Sequence, residues 1–434
     1  VRWTSVVLLA ACAAVPPRAR DAPGDAAADA PRDADRDYAI WLGGAQVGTA
    51  HESERWSPGG VVLVRTEALR FLRGNVPIAI ATAIEVTADR ALAPSRVTWT
   101  ERAQATRRGE AVRDAAGWTV TDGGDPPRVA RLPAAAIPAE LAPLRVRRDG
   151  RFVGPVFLPA RGFVAGTGRI EPIAPRRLIA RLVFAADPGA APAPAADATA
   201  DATIDLGDDA MPVRVVDGEG VIATRITAAE AAAPFTPVDL IAATSIPLAG
   251  PPPGGPGAPT RRLVLDGDVT LPAVPGQAAR VTADGIELAL SPRLGGALPP
   301  GPRGPDRTRE ILWLVAGVHR RIAPDLAAHP ATLHAAAAAT TGDCTTFALA
   351  YAALAAERAI PTRVVTGFRV DGDRLVRHRW AVSWTGTAWI AVDAAFGAVP
   401  AGGDLVGLAV HAADDVGLVA GEAALTRVRA AAWK

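Results

Sequence analysis

From residue 37 to about residue 295 the sequence repeats one pattern. Short runs in which β-branched or aromatic residues alternate with polar ones are cut by Gly- and Asp-rich turns. A period of two buries one face of a strand, and closely spaced turns favour antiparallel pairing between neighbouring runs. Tyr38-Ala39-Ile40-Trp41-Leu42, a Gly43-Gly44 turn and Gln46-Val47-Gly48-Thr49-Ala50 make the first hairpin. Stretches 61–71, 78–87 and 95–106 continue the alternation, and Trp118-Thr119-Val120-Thr121 runs into an Asp122-Gly123-Gly124 turn. The reading is a β-rich antiparallel domain over 37–248, with no phosphate loop, metal cluster or paired-carboxylate signature. Residues 190–203, rich in Ala, Pro and Asp, are expected to be a solvated loop. Pro251-Pro252-Pro253-Gly254-Gly255 opens a Pro/Gly-rich linker with bridging strands over 249–304.

Residues 305–434 change character. Ile311, Leu312, Val315, Val318 and Ile322 recur at helical steps. A second helix-forming run, Thr345 to Arg358, follows Gly342-Asp343-Cys344. Residues 363–370, 375–384 and 388–392 read as three strands, the first two joined by an Asp371-Gly372 hairpin turn. Cys344 is the only cysteine besides Cys12. At a helix N-terminus it meets the positive end of the backbone dipole and unpaired N–H groups, a setting that favours a reactive thiolate.

Spacing relates His378 to Asp393. In an antiparallel pair, opposed residues share a face. A two-residue turn at Thr385-Gly386 sets Asp393 opposite His378. A four-residue loop sets it opposite Trp380, diagonal to His378. A three-residue loop without a bulge turns it to the other face. Two of the three geometries let the carboxylate orient the imidazole. The roles expected are Cys344 as nucleophile, His378 as its base and proton donor, and Asp393 as the group fixing the imidazole. Backbone N–H groups at the helix start would act as oxyanion donors. Trp380 shares the face of His378 and either shields the site or packs the core. The blander alternatives are a buried thiol, a core histidine and a strand-end aspartate. No ligand spacing around His329, His334 and Cys344 supports a metal, and no cofactor is called for.

At the start of the chain, Arg2, an apolar run from Ser5 to Ala11 and the sequence Leu9-Ala10-Ala11-Cys12 resemble a bacterial lipoprotein signal. Residues 1–12 are read as that signal, with lipid carried on Cys12, and 13–36 as a disordered tether. The expected location is the cell envelope, facing the periplasm or exterior, with the lipid on Cys12 as the membrane contact. A formal net charge of +1 without a basic stripe excludes a nucleic-acid surface.

Together, Gly342-Asp343-Cys344, Ile360-Pro361-Thr362-Arg363-Val364-Val365-Thr366-Gly367, His378-Arg379-Trp380 and Trp389-Ile390-Ala391-Val392-Asp393 resemble the bacterial transglutaminase-like superfamily. The resemblance implies a papain-like core over 305–434, with the cysteine on a helix and the histidine and aspartate on adjacent strands. Its Cys-His-Asp triad maps onto Cys344, His378 and Asp393, with Asp343 and Trp380 in support. Two departures stand out: Ala359 where the family usually has Gly, and Ala394-Ala395 where it has Pro-Thr. The opening Ile40-Trp41-Leu42-Gly43-Gly44 is similar to β-rich domains placed before such cores in some bacterial envelope proteins. The fold class expected is α+β, a β-rich region followed by a helix packed on an antiparallel sheet. The function expected is a cysteine hydrolase or acyltransferase of protein or peptide amides. The alternative is a non-catalytic envelope binding or scaffold protein with a degenerate domain.

Overall fold

Alternation in the sequence becomes alternation of burial. Along strand Gly60–Arg73, the odd-numbered residues from Val61 to Phe71 point inward and the even-numbered ones outward from Thr66 on. The computed structural model describes residues 32–103, 106–123, 128–159, 164–184, 199–250, 261–328 and 333–434. The expected signal, the expected lipid attachment at Cys12, most of the tether and most of the 190–203 and 249–259 loops lie outside the described residues, as do His329 and the side chain of His334. The described chain forms two compact units. One comprises most of the residues up to Asp239; the other comprises Arg73–Val76 and Leu240–Lys434.

The first unit is a fifteen-stranded sheet, antiparallel along nearly its whole length. Ala34–Leu42 pairs on one side with Ala45–Ser57 and on the other with Val221–Ile226, joining two meanders. Pro94–Arg102 also lies against Ile137–Pro138, so the sheet curls back on itself. Trp99, Trp118, Leu141 and Phe157 fill that end, each at most 1% exposed. Burying side chains of this size contributes about 1.5–3 kcal/mol apiece. Inward positions elsewhere carry charge. Arg36 bonds Glu52 and Glu54, Arg65 bonds Glu67, and burial pushes the Glu140 carboxyl up to about 8.

The second unit centres on a nine-stranded sheet. Its order runs Gln277–Thr282, Gly285–Leu290, Arg261–Gly267, Val428–Trp433, Ile246–Ala249, Arg374–Trp384, Thr362–Asp371, Leu405–His411, with Trp389–Val392 also paired to Arg374–Trp384. Helix Thr308–Arg321 buries Ile311, Leu314, Val315 and Val318. Helix Cys344–Glu357 shares its apolar cluster, bringing Phe347, Ala350 and Tyr351 together with Ala381 and Val392.

The α+β class with a papain-like helix-on-sheet domain is therefore corrected. Strands dominate the chain, one sheet is a nearly closed barrel, and the helices are few, short and scattered. Helical propensity in the Ala/Leu run after Cys344 is a local signal. It carries no information about the sheet beside it, which continues through residues 246–290 and the C-terminal strand.

Helix Cys344–Glu357 ends in a Schellman motif: Ile360 N–H donates to Ala355 O and Ala359 N–H to Ala356 O, both at 2.9 Å. The motif requires a left-handed residue, and Ala359 adopts φ 51°. A side chain there costs about 1 kcal/mol relative to glycine. Ala359→Gly is expected to raise stability by about that amount, about 2–4 °C in Tm. Calorimetry checks it; a lower Tm contradicts the strain.

Candidate functional site

The first turn of the Cys344 helix is built by its neighbours. Asp343 is the N-cap, its Oδ1 accepting from Thr346 N–H at 3.1 Å, while Oδ2 accepts from Arg73, a residue of the same unit, at 2.7 Å. Gly342 has to be glycine, because a Cβ there would lie 2.3 Å from the Thr346 Cβ. Its carbonyl accepts from Asp325 N–H at 2.9 Å, which fixes the approach to the helix.

The register of the last hairpin is that of a four-residue loop. Trp384 pairs with Trp389 and Ala381 with Val392, so the next position sets Asp393 opposite Trp380 and diagonal to His378. The diagonal is short enough, with His378 Nε2 donating to Asp393 Oδ2 at 2.7 Å. The Cys344 side chain lies close enough to the same imidazole to favour its charged form. Since Nε2 serves Asp393, Nδ1 is the nitrogen left for the sulfur. Trp380 is 1% exposed and stacks on His378 with ring centroids 6.0 Å apart; its Nε1 has no partner among the described residues. Cys344, His378, Asp393 and Trp380 thus come together, with Asp343 beneath the helix start.

How one helix reaches both faces of a strand follows from the sheet's edge. Strand Arg374–Trp384 is covered on one side along most of its length by Thr362–Asp371. On the other side Ile246–Ala249 pairs only with residues 374–375 and Trp389–Val392 only with 381–384. Among the described residues, 376–380 have no strand neighbour there. Successive side chains point to opposite faces. Yet Cys344 lies beside His378, while Thr345 Oγ1 accepts from Arg379 Nη1 at 2.9 Å. The helix start therefore meets the strand at its open edge.

Arg379 escapes notice in the sequence, and it organises the opposite face. It donates to Thr345, to Thr366 Oγ1 at 2.9 Å and to Glu422 Oε1 at 2.5 Å. His411 Nε2 shares Thr366 Oγ1 at 2.8 Å. The one available signal was strand alternation, which turns Arg379 away from His378 and towards whatever lies behind. Thr366, His411 and Glu422 come from distant segments and left no local trace. Among the described residues no group of three His, Cys, Asp or Glu side chains could hold a metal ion.

The two histidines have opposite electrostatics. Burial pulls His378 down, but the charge and hydrogen bond of Asp393, joined by Cys344, outweigh it and push the imidazole up to about 10. Burial, reinforced by the charge of Arg379, pulls His411 down to about 4. Ordinary imidazole titrates near 6.5. The stability from His378 is thus complete below about 6.5 and is lost as pH rises through about 10. That from His411 is present above about 6.5 and is lost as pH falls through about 4. NMR titration is expected to show both midpoints, with Asp393→Asn lowering only that of His378. A His378 midpoint near 6.5 in the unmodified protein contradicts the pairing.

Comparison with known proteins bears on the same region. No curated protein matches the sequence. Among solved structures, the chain is similar to a beta-barrel-like protein of a domain of unknown function from Brucella abortus. Identity is 11% and the TM-score 0.34, over 45% of this chain and 95% of that one. The model of the transglutaminase-like superfamily matches residues 309–394, a span that runs from helix Thr308–Arg321 through Cys344, His378 and Asp393. Residues 309–394 are thus similar to the core of the transglutaminase-like superfamily.

Proposed function

We propose that this domain is a cysteine hydrolase or acyltransferase of protein or peptide amides, working through Cys344, His378 and Asp393. The observation that carries the reading is one buried imidazole hydrogen-bonded to a carboxylate at 2.7 Å and close enough to the thiol that opens a capped helix for the sulfur to raise its pKa. Nucleophile, base and orienting group are thereby within reach of one another.

The chemistry runs in two steps. The Cys344 sulfur attacks the amide carbon, forming a C–S bond and a tetrahedral oxyanion. N–H groups of the first helical turn are the donors for that oxyanion; Cys344 and Thr345 precede Thr346, whose N–H is occupied by Asp343. Collapse breaks the C–N bond as the imidazolium proton of His378 passes to the departing amine, leaving a thioester. Water or an amine then attacks the thioester carbon, gives its proton to His378 and releases the sulfur. Asp393 keeps Nε2–H in place, so Nδ1 is the nitrogen that moves protons. Trp380 and Phe396 flank the ring and limit water around it.

A thiol-directed acyl probe followed by mass spectrometry tests this. Labelling is expected at Cys344, abolished in Cys344→Ala and slowed about 10²- to 10⁴-fold in His378→Ala. An unchanged rate in His378→Ala would sink the proposal. Supplying a small primary amine against water then separates transferase from hydrolase. We further infer anchoring to the cell envelope through lipid on Cys12, supported by the Leu9-Ala10-Ala11-Cys12 sequence. Cys12→Ser is expected to move the protein from the membrane to the soluble fraction. Equal partitioning of both proteins contradicts the anchor.

A further inference from the structure

Beside the imidazole lies a cleft of about 490 Å³, and Asp393 and Phe396 form part of its wall. Phe396 is 53% exposed and packs edge-on against His378 with ring centroids 5.6 Å apart. The cleft therefore reaches the site through Asp393 and through the Phe396 ring that packs on His378; the Cys344 and His378 side chains do not line it.

Its charges do not balance. Arg261, Arg293 and Arg369 face two carboxylates, Asp393 and Asp404. Asp393 is committed to His378, and Arg369 is held by Asp404 at 2.8 Å and over the Phe396 ring at 3.5 Å. Among the described residues, neither the Arg261 nor the Arg293 side chain has a carboxylate partner or a side-chain hydrogen bond. The rest of the lining is mostly small or apolar, including the turn Pro400-Ala401-Gly402-Gly403. Two guanidiniums lining a half-open cleft, with no counter-charge among the described residues, are suited to a carboxylate, which their fork geometry can clamp.

We propose that the cleft selects peptide substrates carrying a carboxylate next to the reacting amide, with Arg261 and Arg293 as the specificity-determining residues. This rests on the catalytic reading above and names its substrate class. A neutral peptide would leave both arginines without a counter-charge as it displaced water from the cleft. An acidic one supplies that charge and is drawn in from a distance at low salt. An acidic side chain and a free C-terminus are two sources of that one chemistry.

The test uses the full chain and matched peptidyl acyloxymethyl ketones, which alkylate a reactive thiol. One pair differs as Glu against Gln beside the warhead, the other as free C-terminal acid against amide. The readout is the ratio of Cys344 labelling rates, acid over amide, within each protein, so overall reactivity cancels. At low salt the ratio is expected to be about tenfold for at least one pair, the equivalent of one charge-assisted hydrogen bond. Whichever pair shows it identifies the source. The ratio should fall towards one in Arg261→Gln/Arg293→Gln and at high salt. Arg293→Gln alone, at an exposed position, should lower it in part, which keeps the test usable if the double variant folds poorly. A ratio of one for both pairs, or a ratio unaltered in Arg293→Gln and the double variant, overturns the proposal. Loss of the catalytic reading looks different: iodoacetamide, small and uncharged, would then modify Cys344 equally fast with and without His378.

Discussion

A strand with an uncovered edge is the constraint on which the site depends. His378 and Arg379 point to opposite faces, and a helix lying flat on either face could touch only one of them. Because residues 376–380 have no strand neighbour on one side among the described residues, the first turn of the Cys344 helix reaches both. The short strands Ile246–Ala249 and Trp389–Val392 define the gap between them. Lengthening either would cover the edge and separate the thiol from the imidazole.

Around that junction, electrostatics keep the two faces distinct. On one, Asp393 holds a buried imidazole in its charged form against the desolvation that opposes it. On the other, Arg379 carries the positive charge, with Glu422 as its counter-ion and His411 held neutral beside it. A buried charge with its partner and hydrogen bonds in place is tolerated; the same charge alone would not be. Arg379 thus ties the helix start to strand Thr362–Asp371 through Thr366 and to helix Asp415–Leu425 through Glu422. This network gives the thiol a fixed position without adding a second titratable group near it at neutral pH.

Departures from the superfamily's pattern have local physical meanings. Ala359 occupies the left-handed position that glycine ordinarily fills, and the helix still closes with both Schellman bonds. After Asp393 the chain runs through Ala394-Ala395 to Phe396. Ala395 N–H donates to Asp393 Oδ1 at 3.1 Å, so the second carboxylate oxygen is also restrained. Small residues there leave the ring of Phe396 free to turn onto His378 and under Arg369.

Local chemistry was legible in the sequence. Alternation marked the strands, a Gly-Asp step before an Ala/Leu run marked a capped helix with cysteine at its start, and residue spacing reduced the His378–Asp393 relation to three registers. The choice among those registers depended on the length of the loop at Thr385–Ala388, which is set by contacts with other segments. Dominance of strands over helices, the curling of the first sheet and the extension of the second through residues 246–290 were likewise illegible, because pairing between distant strands leaves no periodic mark. So were Arg379, Thr366, His411, Glu422 and the arginines of the cleft. Sequence by itself determined which residues could do chemistry. Tertiary structure alone decided which edge stays open, and therefore which of those residues meet.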